Sequence, residues 1–180
     1  EDGTQLIISR NDRSGGNWDL AILDAASGDF LGLVVESRFR SEGRPDWSPN
    51  GDLIAYQISG YIDVPLLIVA DVESGVTVWE GAGITPAWSP DGRTLAYIAS
   101  SPGLANINLL DIDSQRSHNL TQGERREAFP TWSPDGRRLV FSAATENTAT
   151  AQLYIVNRDG SGLRRLTHHN LSHLYPAWKP

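Results

Sequence analysis

Cysteine and methionine are both absent from the 180 residues. Without cysteine there are no disulfides, no thiolate metal sites, no iron–sulfur clusters and no cysteine nucleophile. No apolar run approaches the ~18 residues that span a bilayer, so no membrane insertion is expected. Positive charge is scarce: 15 Lys and Arg stand against 22 Asp and Glu, a net charge of −7 at neutral pH. That balance excludes nucleic acid as an expected partner, because a general phosphate-backbone binder needs a basic surface. The signatures His-Glu-x-x-His and Gly-x-Ser-x-Gly, phosphate loops and dinucleotide-binding turns are all missing. No catalytic residue, metal ligand or cofactor is therefore assigned, and a non-enzymatic role is expected. What the chain does have is turn formers and tryptophan: 17 Gly, 10 Pro and six Trp. At this length one domain is expected, able to bury roughly 70% of its unfolded surface.

Four of the six tryptophans share a context. The copies are Pro45-Asp46-Trp47-Ser48-Pro49-Asn50-Gly51, Pro86-Ala87-Trp88-Ser89-Pro90-Asp91-Gly92, Pro130-Thr131-Trp132-Ser133-Pro134-Asp135-Gly136 and Pro176-Ala177-Trp178-Lys179-Pro180. Successive tryptophans are 41, 44 and 46 residues apart. Glu1-Asp2-Gly3-Thr4-Gln5-Leu6 fits where Pro-Asp-Gly-Arg-x-Leu stands in the later copies. Each copy reads alike. Pro-x-Trp-Ser is a short strand, and Pro-Asp-Gly is a tight turn in which Gly takes the positive φ. A β-branched and aromatic second strand follows (Leu6–Ser9, Leu53–Gln57, Leu95–Ala99, Leu139–Ser142), then a variable loop. The third strand (Asp19–Leu23, Leu66–Ala70, Ile107–Asp111, Gln152–Val156) ends in a polar turn. A fourth strand closes the unit (Phe30–Val35, Thr77–Glu80, Ser117–Thr121, Leu163–Thr167). No window of eleven residues carries a helical period. Four strands per ~45 residues predict an all-β β-propeller with four repeats in one domain, at approximately 1–46, 47–87, 88–131 and 132–180.

Pro-x-Trp-Ser-Pro-Asp-Gly-Arg-x-Leu, with Leu153-Tyr154-Ile155-Val156-Asn157 and Arg164-Arg165-Leu166-Thr167 further on, is similar to the WD40-like PD40 repeat of the TolB-like propellers. The resemblance covers essentially the whole chain. It implies a bacterial, extracytoplasmic (periplasmic or secreted) protein-binding propeller. It also implies relatives among the propellers of prolyl-oligopeptidase-type peptidases and extracytoplasmic sensors. TolB-like propellers carry six blades and an extra α/β domain, and four repeats depart from that pattern. The chain begins and ends at the same point of the repeat, as expected of a segment cut at a blade boundary. Tyr175–Pro180 is expected to supply the innermost strand beside Gly3–Ser9. That closes a four-bladed ring in one chain, or an eight-bladed ring in a homodimer.

Site expectations follow from repetition itself. Trp47, Trp88, Trp132 and Trp178 recur in every repeat and are expected to pack blade against blade. The motif residues Pro49, Pro90, Pro134, Asp91, Asp135, Gly51, Gly92 and Gly136 are expected to build its turns. Specificity is expected in the loops, which vary while the strands repeat. Arg38, Arg40, Arg125 and Arg126 are candidates for a carboxylate or anion contact at one opening. Trp18 and Tyr61 are aromatic candidates on the same loop-rich face. His168, His169 and His173 cluster within six residues but lack metal-ligand spacing, and are read as surface contacts. A protein or peptide partner is the expectation. The substrate-gating propeller of a larger peptidase and a small-ligand-binding propeller are the alternatives.

Overall fold

The computed structural model describes residues 3–11, 18–35, 40–60, 64–101, 104–123, 125–145, 150–168 and 170–179. Those residues are all strand, turn and loop, and they divide into two compact units, Glu1–Pro86 and Ala87–Pro180. The first unit holds two antiparallel sheets. One is β1 (Gln5–Asn11), β2 (Trp18–Asp24) and β3 (Phe30–Val35), paired in that order. The other is the four-stranded meander β4 (Arg40–Trp47), β5 (Leu53–Gly60), β6 (Leu66–Asp71) and β7 (Thr77–Ala82). Side chains alternate across a strand, so each sheet has two faces. Leu20 packs with Ile54, Tyr56, Ile58, Ile68 and Ala70 in one buried cluster, and Ile7 and Val34 lie against it. The opposite face of the three-stranded sheet carries the cross-strand row Leu6, Leu23 and Phe30, in which Leu6 and Phe30 are each 51% exposed.

Strand β8 (Ile84–Trp88) carries the chain from one unit to the next. The second unit continues with β9 (Thr94–Ser101), β10 (Leu104–Asp111) and β11 (Arg116–Asn119), then β12 (Arg125–Trp132), β13 (Arg138–Thr145), β14 (Gln152–Asn157) and β15 (Arg164–Arg165). Its two meanders are joined at a single parallel step, Ala105 beside Arg126. Leu95, Ile98, Ile107, Leu109, Leu110, Leu139 and Phe141 fill its core, and Phe141 stacks on Tyr154 with centroids 5.8 Å apart. The last strand of each meander is shorter than its sequence predicts, for one physical reason. Thr121 Oγ1 accepts the Ile107 amide at 3.0 Å, and Thr167 Oγ1 accepts the Leu153 amide at 2.9 Å. A threonine side chain thus takes the ladder's next donor, and the strand stops there.

The Trp-Ser-Pro-Asp-Gly turns are built identically in three repeats. Ser48, Ser89 and Ser133 donate their hydroxyls to Asn50, Asp91 and Asp135 at 2.7, 2.5 and 2.5 Å. The same oxygens accept the amides of Leu53, Thr94 and Arg138 at 2.9–3.0 Å. Gly51, Gly92 and Gly136 close the turn at φ 81°, 67° and 66°, where an L side chain is strained. A second recurring turn follows the third strand. Asp24, Asp71 and Asp111 accept the amide and hydroxyl of Ser27, Ser74 and Ser114 at 2.5–3.0 Å. Gly28 and Gly75 stand in its left-handed position, but the third copy has Gln115 there, at φ 55°. Gln115→Gly is expected to stabilise the chain by about 1 kcal/mol, because a left-handed non-glycine residue costs about that much. A rise in the urea midpoint checks it, and a fall would contradict the strain reading.

Inner strands β4 and β12 each slip register three residues before the tryptophan, between Gly43 and Asp46 and between Ala128 and Thr131. The residue three before the tryptophan is left-handed and is not glycine in any repeat: Arg44 (φ 51°), Thr85 (51°), Phe129 (54°) and Tyr175 (54°). The expected innermost strand at Tyr175–Pro180 is corrected by the structure. Residues 175–179 carry no strand, and β1 pairs with β2 alone among the described residues. Trp178 instead donates its indole Nε1–H to the Thr131 carbonyl at 3.3 Å, under the Arg138 guanidinium 5.5 Å away. It repeats what Trp132 does to Ala87 at 3.0 Å, one repeat earlier. The tail therefore docks as the next tryptophan of the series on its own unit.

Candidate recognition site

The second unit brings together side chains from β12 and from the tail. Phe129 and Tyr175 occupy the same left-handed position in successive repeats, and their rings meet with centroids 4.2 Å apart at a 40° tilt. Tyr175 is 65% exposed, and its neighbour Leu174 is also exposed. In β12 the register slip turns the Phe129 side chain away from the regular alternation of the strand. An aromatic pair is thus presented on a backbone conformation that costs energy to hold.

Two residues before Phe129, Glu127 is buried. Its Oε2 accepts the Ile107 amide at 3.0 Å and the Thr121 hydroxyl. Burial pushes its carboxyl above the usual range, opposed by the Thr121 and Ile107 hydrogen bonds and by Arg125. Arg125 holds Nε 3.6 Å from Glu127 Oε1 and lays its guanidinium 5.3 Å from the centre of the Tyr154 ring. Arg158, just after β14, ties to the preceding repeat's turn, donating to Asp91 Oδ2 at 2.8 Å and to Thr94 Oγ1 at 2.6 Å. Its guanidinium also sits 5.4 Å from the centre of the Trp132 ring. Burial alone would raise the Asp91 carboxyl, but hydrogen bonds from Ser89 and Arg158 outweigh it and bring it to about 2.

The residues singled out from sequence separate as follows. Arg38, Tyr61 and His169 lie outside the described residues. Arg40 is the first residue of β4, opposite Gly60. Trp18, 48% exposed, starts β2 opposite Asn11 in the first unit. Arg125 is committed to Glu127 and Tyr154, whereas Arg126 is exposed. His168 is exposed, and the half-buried His173 donates its backbone amide to Ala151 at 2.8 Å. Phe129, Tyr175 and Glu127 were missed by sequence reasoning. Aligning the repeats on tryptophan would have exposed them. Three residues before it stand Arg44, Thr85, Phe129 and Tyr175, and five before it Glu42, Gly83, Glu127 and His173. Those two positions vary just ahead of the repeated Pro-x-Trp.

Known proteins share this fold. The chain is similar to the solved structure of a putative TolB from Agrobacterium tumefaciens, with 23% identity and a TM-score of 0.76. The match covers 91% of this chain and 61% of that one. TolB from Acinetobacter baumannii matches at 23% identity and a TM-score of 0.70, over 91% of this chain and 41% of that one. A puromycin-hydrolyzing peptidase from Mycobacterium tuberculosis matches at 21% identity and a TM-score of 0.72, over 93% of this chain and 29% of that one. The chain therefore spans less than two thirds of the length of these proteins. Its repeat motif, its all-β meanders and a match to the TolB beta propeller domain over residues 2–180 lead to one conclusion: the chain belongs to the TolB β-propeller family.

Proposed function

We propose that this chain is a non-enzymatic recognition module, working outside the cytoplasm, that binds a protein or peptide with the face bearing Phe129 and Tyr175. The observation that carries this reading is the exposed Tyr175, set ring against ring with the half-buried Phe129. Tyrosine and phenylalanine bring large apolar area at low entropic cost, and a partner that covers them gains that area from water. Energetically dominant interface residues are commonly aromatic or arginine, and Arg126 is exposed on the same strand. The extracytoplasmic setting comes from the family. Tyr175→Ala is expected to weaken capture of the partner from extracts of the source cell at least tenfold, with an unchanged melting temperature. Retention of the same partner at full strength by the folded variant would move the site elsewhere.

A second reading is the substrate-gating propeller of a peptidase. It is favoured by the match that covers 93% of this chain but only 29% of the puromycin-hydrolyzing enzyme. Reading the complete gene decides it: a hydrolase domain beside this segment supports the peptidase, and its absence ends that reading.

A further inference from the structure

We propose that Glu127 and Arg125 form a proton-operated latch: the charged carboxylate holds Arg125 inside the second unit, and the neutral acid releases it to the surface. The first observation is how the held position is built. The Arg125 guanidinium lies 5.3 Å from the centre of the Tyr154 ring. It also lies against Gly123, with Nη2 3.3 Å from where a Cβ would stand. A side chain at that position would press on it. Arg125 Nε is buried and stands 3.6 Å from Glu127 Oε1. A ring, a bare backbone and a carboxylate thus meet around one cation.

The second observation is that the ion pair is incomplete. Glu127 Oε2 is fully used, by the Ile107 amide and the Thr121 hydroxyl. Oε1 is buried, and neither it nor Arg125 Nε has a hydrogen-bond partner among the described residues. At 3.6 Å the two attract as charges but lie beyond hydrogen-bond reach. A buried carboxylate offsets its lost hydration only when its remaining lone pairs are bonded. Here one oxygen is not, so the charged form is held weakly and a proton enters at Oε1. Burial acts on the carboxyl in the same direction.

The third observation is what surrounds the pair. β10 offers Glu127 the Ile107 amide, and the segment after β11 offers the Thr121 hydroxyl. β13 sets Ala143 opposite Glu127, and β14 sets Gln152 opposite Ala143. The charged group acting on Glu127 is Arg125, and the other titratable group of the cluster is the Tyr154 phenol. Among the described residues no second acid pairs with Arg125. Once Glu127 is neutral, the ring alone holds the guanidinium, and its buried Nε has neither acceptor nor counter-charge. A partly exposed arginine on a flexible stem then turns to water, beside Arg126, which is already exposed. The start of β12 gains a second free cation, which favours a partner with clustered carboxylates. That consequence rests on the binding role proposed for this face, whereas the latch itself does not.

Nuclear magnetic resonance of the 180-residue chain, as pH is lowered from neutral, tests the latch. The Arg125 side-chain protons beside the Tyr154 ring are expected upfield at neutral pH. They return to their ordinary position as the Glu127 carboxyl carbon titrates, with one shared midpoint above 4.5. Protons that stay upfield throughout the Glu127 titration overturn the latch. Glu127→Gln, neutral and of the same shape, is expected to show the released Arg125 already at neutral pH. Retention of the ring contact in that folded variant also overturns it. Binding of a hexaglutamate peptide at neutral pH reads the consequence. Glu127→Gln is expected to bind it about two- to fivefold more tightly than wild type. The gain is expected to vanish in the double variant Glu127→Gln/Arg125→Ala. No gain, or one that survives in the double variant, overturns the selectivity for acidic partners. The resonance results need no partner, so they separate a failed latch from a failed binding face.

Discussion

Trp132→Ala is expected to lower stability by about 3–5 kcal/mol, the usual cost of emptying a large aromatic site in a core. The ring is 6% exposed, its Nε1 is bonded to the Ala87 carbonyl, and the Arg158 guanidinium lies over its face. Removing it leaves a cavity, an unpaired carbonyl and an arginine without its platform. Arg158 also bonds Asp91 and Thr94, so the loss spreads to the neighbouring repeat's turn. Trp132→Phe keeps most of the packing and forfeits the hydrogen bond, with an expected cost of about 1–2 kcal/mol. Urea denaturation ranks the three proteins. Equal midpoints for wild type and Trp132→Ala would show that the recurrent tryptophan does not hold repeats together. Binding through Phe129 and Tyr175 should survive Trp132→Phe, since that change leaves both rings in place.

Glu127→Ala is expected to cost about 2–3 kcal/mol, because it takes the acceptor from the Thr121 hydroxyl, leaves the Ile107 amide with Thr121 alone, and leaves Arg125 without its carboxylate. Glu127→Gln keeps an acceptor in place and no longer buries a charge, so its cost at neutral pH is expected to stay below about 1 kcal/mol. The pair of variants also separates the effect of pH. Burial raises the folded-state pKa of Glu127 above the ordinary 4.5. Between 4.5 and that raised value the folded chain binds more protons than the unfolded chain, so this group's contribution falls as pH rises through the window. The turn carboxylates Asp71, Asp111 and Asp135 run the other way. Hydrogen bonds from Ser74, Ser114 and Ser133 lower them, so their contribution is present above 3.8 and is lost as pH falls. Subtracting the stability profile of Glu127→Gln from that of wild type isolates the first effect. A difference that rises from pH 4.5 upward would contradict the buried-acid reading.

The blades were legible because their information is local and repeated. Pro-Asp-Gly turns, β-branched strands and a tryptophan every 41 to 46 residues each act over a few residues, and the four copies reinforce one another. Strand positions follow from them to within a few residues. The candidate site was far less legible. Phe129 and Tyr175 lie 46 residues apart and meet only because successive repeats stack, and nothing local marks a left-handed phenylalanine. Glu127 read as one charge in the run Glu124-Arg125-Arg126-Glu127, which looks like a solvated loop. Only the fold reveals that it reaches across to the Ile107 amide. The tail misled for a related reason: a strand-like motif reports its own preference, whereas residues 175–179 form no strand and Trp178 docks on the Thr131 carbonyl of its own unit.

The left-handed slip ahead of Trp47 and Trp132 has a consequence for how such a chain survives at high concentration. A sheet edge is sticky when it offers a long, regular row of donors and acceptors to any passing chain. In β4 and β12 that row is interrupted at Arg44 and Phe129, where the strand bends and one step of the ladder is lost. An interrupted edge is a poor template for fibril growth. Replacing the slip with a smooth extended strand would relieve local strain, and it would also remove a built-in guard against aggregation.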